Sequence, residues 1–210
     1  MNRLALVLAF VATACGGSED EPRQVGESAG LTRYQVSSQG FSIGVPPEWR
    51  VVSVDEALPE AERRQLARDN PEFAPLLEAI GSDAQPIKLI AFDPEVQEAF
   101  ATNVNVVVVP LPSGTSLREF VAANLADIRG FSGRVGQLRS RPAQLPSGAA
   151  HRLEYGLRLT AGGRRFTAAT LQYLVVGPDR GYVVTFTTLP ELSDRYGPTF
   201  DRTIRSLRLR

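Results

Sequence analysis

The run GAAHRLEYGLRLTAGGRRFTAATLQYLVVGPDRGYVVTFTT, residues 148–188, breaks into three alternating segments, 149–160, 164–176 and 181–188. Period-two alternation rich in Val, Thr, Tyr and Leu is a strand signal, and the breaks AGG and GPDRG carry turn chemistry. Links this short make consecutive strands antiparallel, since a parallel pair needs a crossover of a dozen or more residues. Within 149–160, His151, Leu153, Tyr155, Leu157 and Leu159 share one parity and are expected to face a core, with Arg152, Glu154 and Arg158 on the other side. A fourth strand is predicted at 134–141, joined to the first through LPSG.

Upstream, the pattern changes between strand and helix. Strands are predicted at 34–37, at 41–45, where Phe41, Ile43 and Val45 alternate with Ser42 and Gly44, and at 49–54. Two helical pieces follow, one around Pro59 to Leu66 and one with Phe73, Leu76, Leu77 and Ile80 on a single stripe, separated by Asn70-Pro71. Strands return at 86–92 and 103–109, and the run VNVVVV in the second is apolar enough to belong at the sheet centre with both faces covered. Ser116 followed by Glu119 makes a capping box for a helix with Leu117, Phe120, Val121, Leu125 and Ile128 on one stripe and Gly130 at its end. A last helix carries Phe200, Ile204 and Leu207 after Pro198. The expected class is α+β, with a central antiparallel sheet flanked by helices.

The first residues carry a different message. MNRLALVLAFVATAC has a positive start, an apolar run from Leu4 to Ala12 and small residues before Cys15, the layout of a secretory signal. Its apolar run is far short of the roughly 20 residues a spanning helix needs. Cys15 is the only cysteine, and Ala12-Thr13-Ala14-Cys15 resembles the lipobox of bacterial lipoproteins, with alanine in place of the usual leucine at its first position. That resemblance implies a diacylglycerol on Cys15, and two acyl chains suffice for stable anchoring. The Gly-, Ser- and acid-rich stretch after it reads as a tether of roughly 20 to 25 Å root-mean-square span. The expected organisation is a signal peptide at 1–14, a lipidated cysteine and tether at 15–32, and one domain at 33–210 on the outer face of a cell membrane.

The order of elements through GFSIGVPPEW (40–49), NVNVVVVPLPSGTSLREF (103–120), the hairpins GAAHRLEYGLRL and RRFTAATLQYLVV, and the closing FDRTIRSLRL resembles the Mog1/PsbP-like fold. Within it, the chain is similar to actinobacterial surface lipoproteins of the LpqN and PsbP-related kind. The resemblance implies an α/β/α sandwich in a family whose members mostly act as accessory or binding proteins. It transfers no functional residue, because the matching positions are structural.

Chemistry is sparse. GFSIG at 40–44 fits the GxSxG pattern, but that chemistry needs the serine on a tight strand-to-helix turn, and Ser42 sits inside an alternating strand followed by Pro46-Pro47. His151 is the only histidine, so multi-histidine metal sites are excluded, and it reads as a hydrogen-bonded core or rim residue. Asp93 and Glu95 have no third oxygen ligand at a useful spacing. No cofactor is expected.

Charge is more informative. The whole chain has formal net charge +0, yet residues 33–112 sum to −6 and residues 113–210 to +8. Arg139, Arg141, Arg152, Arg158, Arg164 and Arg165 lie on neighbouring strands or turns and form a candidate surface for anionic lipid headgroups or an acidic partner. The ordinary alternative is a solvated strand face partly paired with Glu154. Nucleic acid is not expected outside the cytoplasm. The leading expectation is a non-catalytic binding or accessory module with a protein partner in the envelope. The alternatives are a carrier of an apolar or amphiphilic ligand, in a pocket lined by Trp49, Phe92, Tyr155 and Tyr173, and a hydrolase with Ser42 exposed beside His151.

Overall fold

The computed structural model describes residues 21–52, 60–69, 87–97, 100–161 and 164–210. The signal segment, Cys15 and the stripe Phe73, Leu76, Leu77 and Ile80 lie outside them. Eleven strands are formed among the described residues: β1 (Arg23–Ser28), β2 (Leu31–Val36), β3 (Phe41–Val45), β4 (Arg50–Val52), β5 (Ile87–Gln97), β6 (Phe100–Pro110), β7 (Arg134–Leu145), β8 (Gly148–Ala161), β9 (Arg164–Val176), β10 (Arg180–Thr188) and β11 (Arg208–Leu209). Three α-helices accompany them, α1 (Glu60–Asp69), α2 (Leu117–Gly130) and α3 (Ser193–Arg205). The class is α+β, and every strand pairing is antiparallel.

The expected single sheet is two. A seven-stranded sheet runs β4-β5-β6-β10-β9-β8-β7, and a four-stranded one runs β1-β2-β3-β11. The centre of the large sheet is β10, not the VNVVVV strand. Apolar character misplaced it, because β6 alternates buried and half-buried positions while β10 is buried along nearly its whole length. β10 takes the centre because it pairs with both β6 and β9.

Residues 23–32, which composition assigns to the tether, form β1, a two-residue turn and the start of β2. Ala29 and Gly30 have φ of 52° and 70°, the two left-handed positions that a tight primed hairpin turn demands. All six residues of β1 are exposed. Backbone pairing at a sheet edge needs no apolar pattern, which is why periodicity does not reveal it.

The two faces of the large sheet bury different things. On one, α2 lays Phe120 and Val121 over Leu153, Leu174 and Val183. Its start follows the capping box as expected: Ser116 Oγ accepts from Glu119 N at 3.2 Å, and Ser116 N donates to Glu119 Oε2 at 2.8 Å. On the other face, α3 and the small sheet close the main core around Phe41, Ile43, Trp49, Phe186, Phe200 and Ile204. α3 begins five residues before Pro198, with that proline inside it. A proline so near the N-terminal end removes few helix bonds, and the earlier start brings Tyr196 onto the core.

Close approach of α2 depends on Gly181. A Cβ there would lie 2.5 Å from Phe120 Cζ, so the ring rests directly on the strand backbone. Gly181→Val is expected to lift Phe120 and cost about 1–3 kcal/mol, the usual range for overpacking. Thermal unfolding of the variant checks this, and an unchanged midpoint would show that α2 shifts freely.

Candidate functional site

Cross-strand register places the arginines. Arg139 pairs with Glu154, Arg141 with Arg152, Arg158 with Thr167 and Thr160 with Arg165. Directly paired residues share a face, so Arg139, Arg141, Arg152, Arg158 and Arg165 lie with Glu154 on one side of β7, β8 and β9, Arg139, Arg141 and Arg152 next to it and Arg158 and Arg165 farther along the sheet. Arg164 opens β9 opposite Ala161.

Arg152 is the organised member of the group. Its guanidinium carbon lies 5.9 Å from the Tyr173 ring centroid, and its Nε is 2.8 Å from Glu154 Oε1. The Nε–H is buried and not directed at that oxygen, so the contact is ionic without being an aligned hydrogen bond. Arg141 reaches the same oxygen at 3.3 Å. Burial raises the Tyr173 hydroxyl above its ordinary range, and Arg152 opposes the shift. Two arginines therefore share one carboxylate, while Arg139, Arg158 and Arg165 are exposed and form no ion pair among the described residues. Such contacts hold side chains in place more than they stabilise the fold. The result is a strongly cationic strip along β7, a twelve-residue strand at the sheet edge with most of its residues exposed.

Elsewhere the expected chemistry does not assemble. Ser42 is buried within β3, pairs with Gln35 and Arg208, and accepts from Arg33 Nη1 at 3.1 Å. His151 lies in the other sheet, where its Nε2 is 2.7 Å from Ser140 Oγ and burial lowers its pKa. The hydrolase arrangement is thereby corrected: the two residues sit on different sheets, and the serine occupies no strand-to-helix turn. The four-aromatic pocket is corrected as well. Trp49 and Tyr173 belong to the core beneath α3, whereas Tyr155 packs on the α2 side and Phe92 is in register with it. Strand parity separates them.

Asp93 and Glu95 are engaged by α3. Tyr196 Oη donates to Asp93 Oδ2 at 2.6 Å, Glu95 N donates to Asp93 Oδ1 at 2.8 Å, and Arg195 makes a two-pronged contact with Glu95 at 3.1 and 2.5 Å. No signal in the sequence announces this pairing, because its halves are about a hundred residues apart. Among the described residues, no group of three or more His, Cys, Asp and Glu side chains could hold a metal ion. No helix among them is long and apolar enough to cross a membrane.

Two tyrosines carry a measurable consequence. Burial pushes the Tyr155 hydroxyl up to about 12, and burial together with Asp93 pushes Tyr196 up to about 12. The folded state holds these protons while the unfolded chain releases them near 10, so the contribution is intact below pH 10 and is lost as pH rises toward 12. Each tyrosine is expected to cost about 1.4 kcal/mol per pH unit in that window. Urea unfolding at pH 9 and pH 11 checks this, with Tyr196→Phe removing its share of the slope.

No protein-family model matches the chain, and no curated protein does. Solved structures do. The cyanobacterial PsbP of Synechocystis sp. PCC 6803 is 14% identical over 94% of this chain and 98% of its own, with a TM-score of 0.57. LpqN, involved in cell envelope biogenesis of Mycobacterium tuberculosis, is 11% identical over 90% of both chains, with a TM-score of 0.49. The Saccharomyces cerevisiae Ran-binding protein Mog1p is 10% identical over 87% of this chain and 96% of its own, also at 0.49. The likeness to PsbP spans nearly the whole chain and shows a PsbP-like fold. At such identity it shows the fold alone.

Proposed function

We propose that this protein is a non-catalytic binding module of the cell envelope, held at the outer face of a membrane through Cys15, that engages an acidic segment of a protein partner along β7. One observation carries the reading: Arg139, Arg141, Arg152, Arg158 and Arg165 share one face at an open sheet edge, where a single carboxylate, Glu154, meets only two of them. Guanidinium groups recognise carboxylates through planar, paired hydrogen bonds, and an edge strand adds unpaired backbone groups to meet an extended segment. Glu154 in the middle of the strip disfavours a flat anionic lipid surface and suits a partner with a defined charge pattern.

The anchor fits this role. With β1 starting at Arg23, residues 16–22 separate Cys15 from the first strand, and seven residues reach at most roughly 25 Å when fully extended. The domain would thus work on partners at the membrane surface.

Affinity capture from native membranes tests the proposal. Replacing Arg139, Arg141 and Arg158 with Ser is expected to lower partner recovery at least tenfold, and raised salt is expected to do the same to the unaltered protein. Equal recovery with all three arginines removed would overturn it.

A further inference from the structure

β7 forms one edge of the large sheet, and the direction of its backbone groups follows from β8. Arg158 N donates at 2.7 Å to the carbonyl of Gly133, the residue immediately before Arg134 at the start of β7. Successive residues of a strand turn their N–H and C=O groups to opposite edges. The pairing of β8 with β9 runs without a register shift from Ala150 to Ala161, so Ala150, Arg152 and Glu154 share the parity of Arg158 and also turn toward β7. Their register partners Ala143, Arg141 and Arg139 therefore spend their backbone groups on this ladder, and Ser140, Pro142 and Gln144 turn theirs outward. Pro142 agrees with this phase, because a proline within a sheet belongs where its nitrogen faces away from the ladder.

The open edge is short and bounded. At one end the register shifts between Val135 and Arg139, where Gly136 has φ of 71°, and at the other the chain turns at Pro146-Ser147. Between these limits residues 139–142 and 144 are exposed. Ser140 and Gln144 each point a donor and an acceptor outward, whereas Pro142 has only its carbonyl. Of the two complete positions, Ser140 alone lies between arginines, and Arg139 and Arg141 stand on one face at either side of it.

We propose that the acidic partner segment adds to β7 as an antiparallel strand centred on Ser140, with two carboxylates one residue apart facing Arg139 and Arg141. The proposal rests on the acidic-partner reading above and specifies the chemistry of that partner. The residue opposite Ser140 exchanges two backbone hydrogen bonds with it. The residues flanking that one stand opposite Arg139 and Arg141, and strand alternation projects both onto the arginine face. Such non-hydrogen-bonded pairs approach to about 4.5 Å between Cα atoms, so each guanidinium can take a carboxylate. Adjacent acids would send one carboxylate to the opposite face, where Ser140, Pro142, His151 and Leu153 stand. A second copy of β7 centred on the same residue would set arginine against arginine, so the edge selects an acidic segment over self-pairing.

The test titrates the full chain against two labelled peptides of equal composition, Thr-Val-Glu-Val-Glu-Val-Thr and Thr-Val-Glu-Glu-Val-Val-Thr, by fluorescence anisotropy. The alternating peptide is expected to bind about tenfold more tightly. An N-methyl group on its central valine, whose N–H faces Ser140, is expected to lower affinity about tenfold, and one on a glutamate nitrogen, which faces away, to leave it unchanged. Ser140→Pro removes the outward N–H and keeps every arginine, and is expected to bring the alternating peptide down to the affinity of the other. Its unfolding midpoint checks folding, and the N-methyl peptides probe the same contact in the unaltered protein. Binding that needs Arg139 and Arg141 yet is equal for the two patterns, or withstands the methyl group on the central valine, would overturn strand addition and leave the acidic-partner reading standing. Absence of binding by either peptide would overturn both.

Discussion

Phe200→Ala is expected to remove about 3–5 kcal/mol of stability, a large part of the roughly 5–15 kcal/mol that holds a domain folded. Phe200 is buried where α3 meets the large sheet. It stacks on Phe186 at 4.7 Å and on Tyr196 at 5.9 Å, and meets Trp49 edge-on at 6.5 Å. Removing the ring leaves a cavity whose walls belong to a helix, a central strand and the β4 approach, so collapse around it is difficult. Trp49 is the only tryptophan, so its fluorescence reports this cluster directly during urea unfolding. The midpoint is expected to fall by about 1–3 M. A loss below about 1 kcal/mol would show that the aromatic cluster does not hold α3 in place.

Cys15→Ala is expected to move the protein from the membrane fraction to the soluble one and to abolish incorporation of labelled palmitate. This follows from the proposed anchor. Among the described residues no helix can span a bilayer, and loss of two acyl chains removes nearly all membrane affinity. Palmitate label that persists in the Cys15→Ala protein would contradict the anchor. The same substitution leaves the folded domain untouched in this account, so its unfolding midpoint is expected to stay unchanged.

The sequence made some of this architecture legible and hid the rest for physical reasons. Residues 134–188 are read correctly as four hairpin-linked strands, since alternation and turn chemistry are local. The capping box at Ser116 and Glu119 is legible for the same reason. The small sheet is not. β1 has one apolar residue, Val25, and β11 has two residues in all, so neither generates a period. The alternation of Phe41, Ile43 and Val45 with Ser42 and Gly44 suits a half-buried strand, whereas β3 is buried on both sides. Gly44 lets Leu31 and Ser206 close over it: a Cβ there would lie 2.9 Å from Leu31, and Ser206 Oγ accepts from Gly44 N at 2.6 Å.

The candidate site divides in the same way. Parity alone assigns Arg152, Glu154 and Arg158 to one face and Arg139 with Arg141 to another shared face. Pairing register, which sequence does not supply, joins the two sets and adds Arg165. The support of Arg152 by Tyr173 and the capture of Asp93 by Tyr196 need partners from distant strands and a helix.

Site-specific photocrosslinking in native membranes addresses the central proposal most directly, with the reactive side chain placed at Arg139 on β7 or, as a control, at Asp127 on the exposed side of α2. A discrete protein adduct that fades as salt is raised is expected from position 139, and none from position 127. Adducts from 127 alone, or none from 139, would contradict the assignment of the arginine strip as the partner-binding surface.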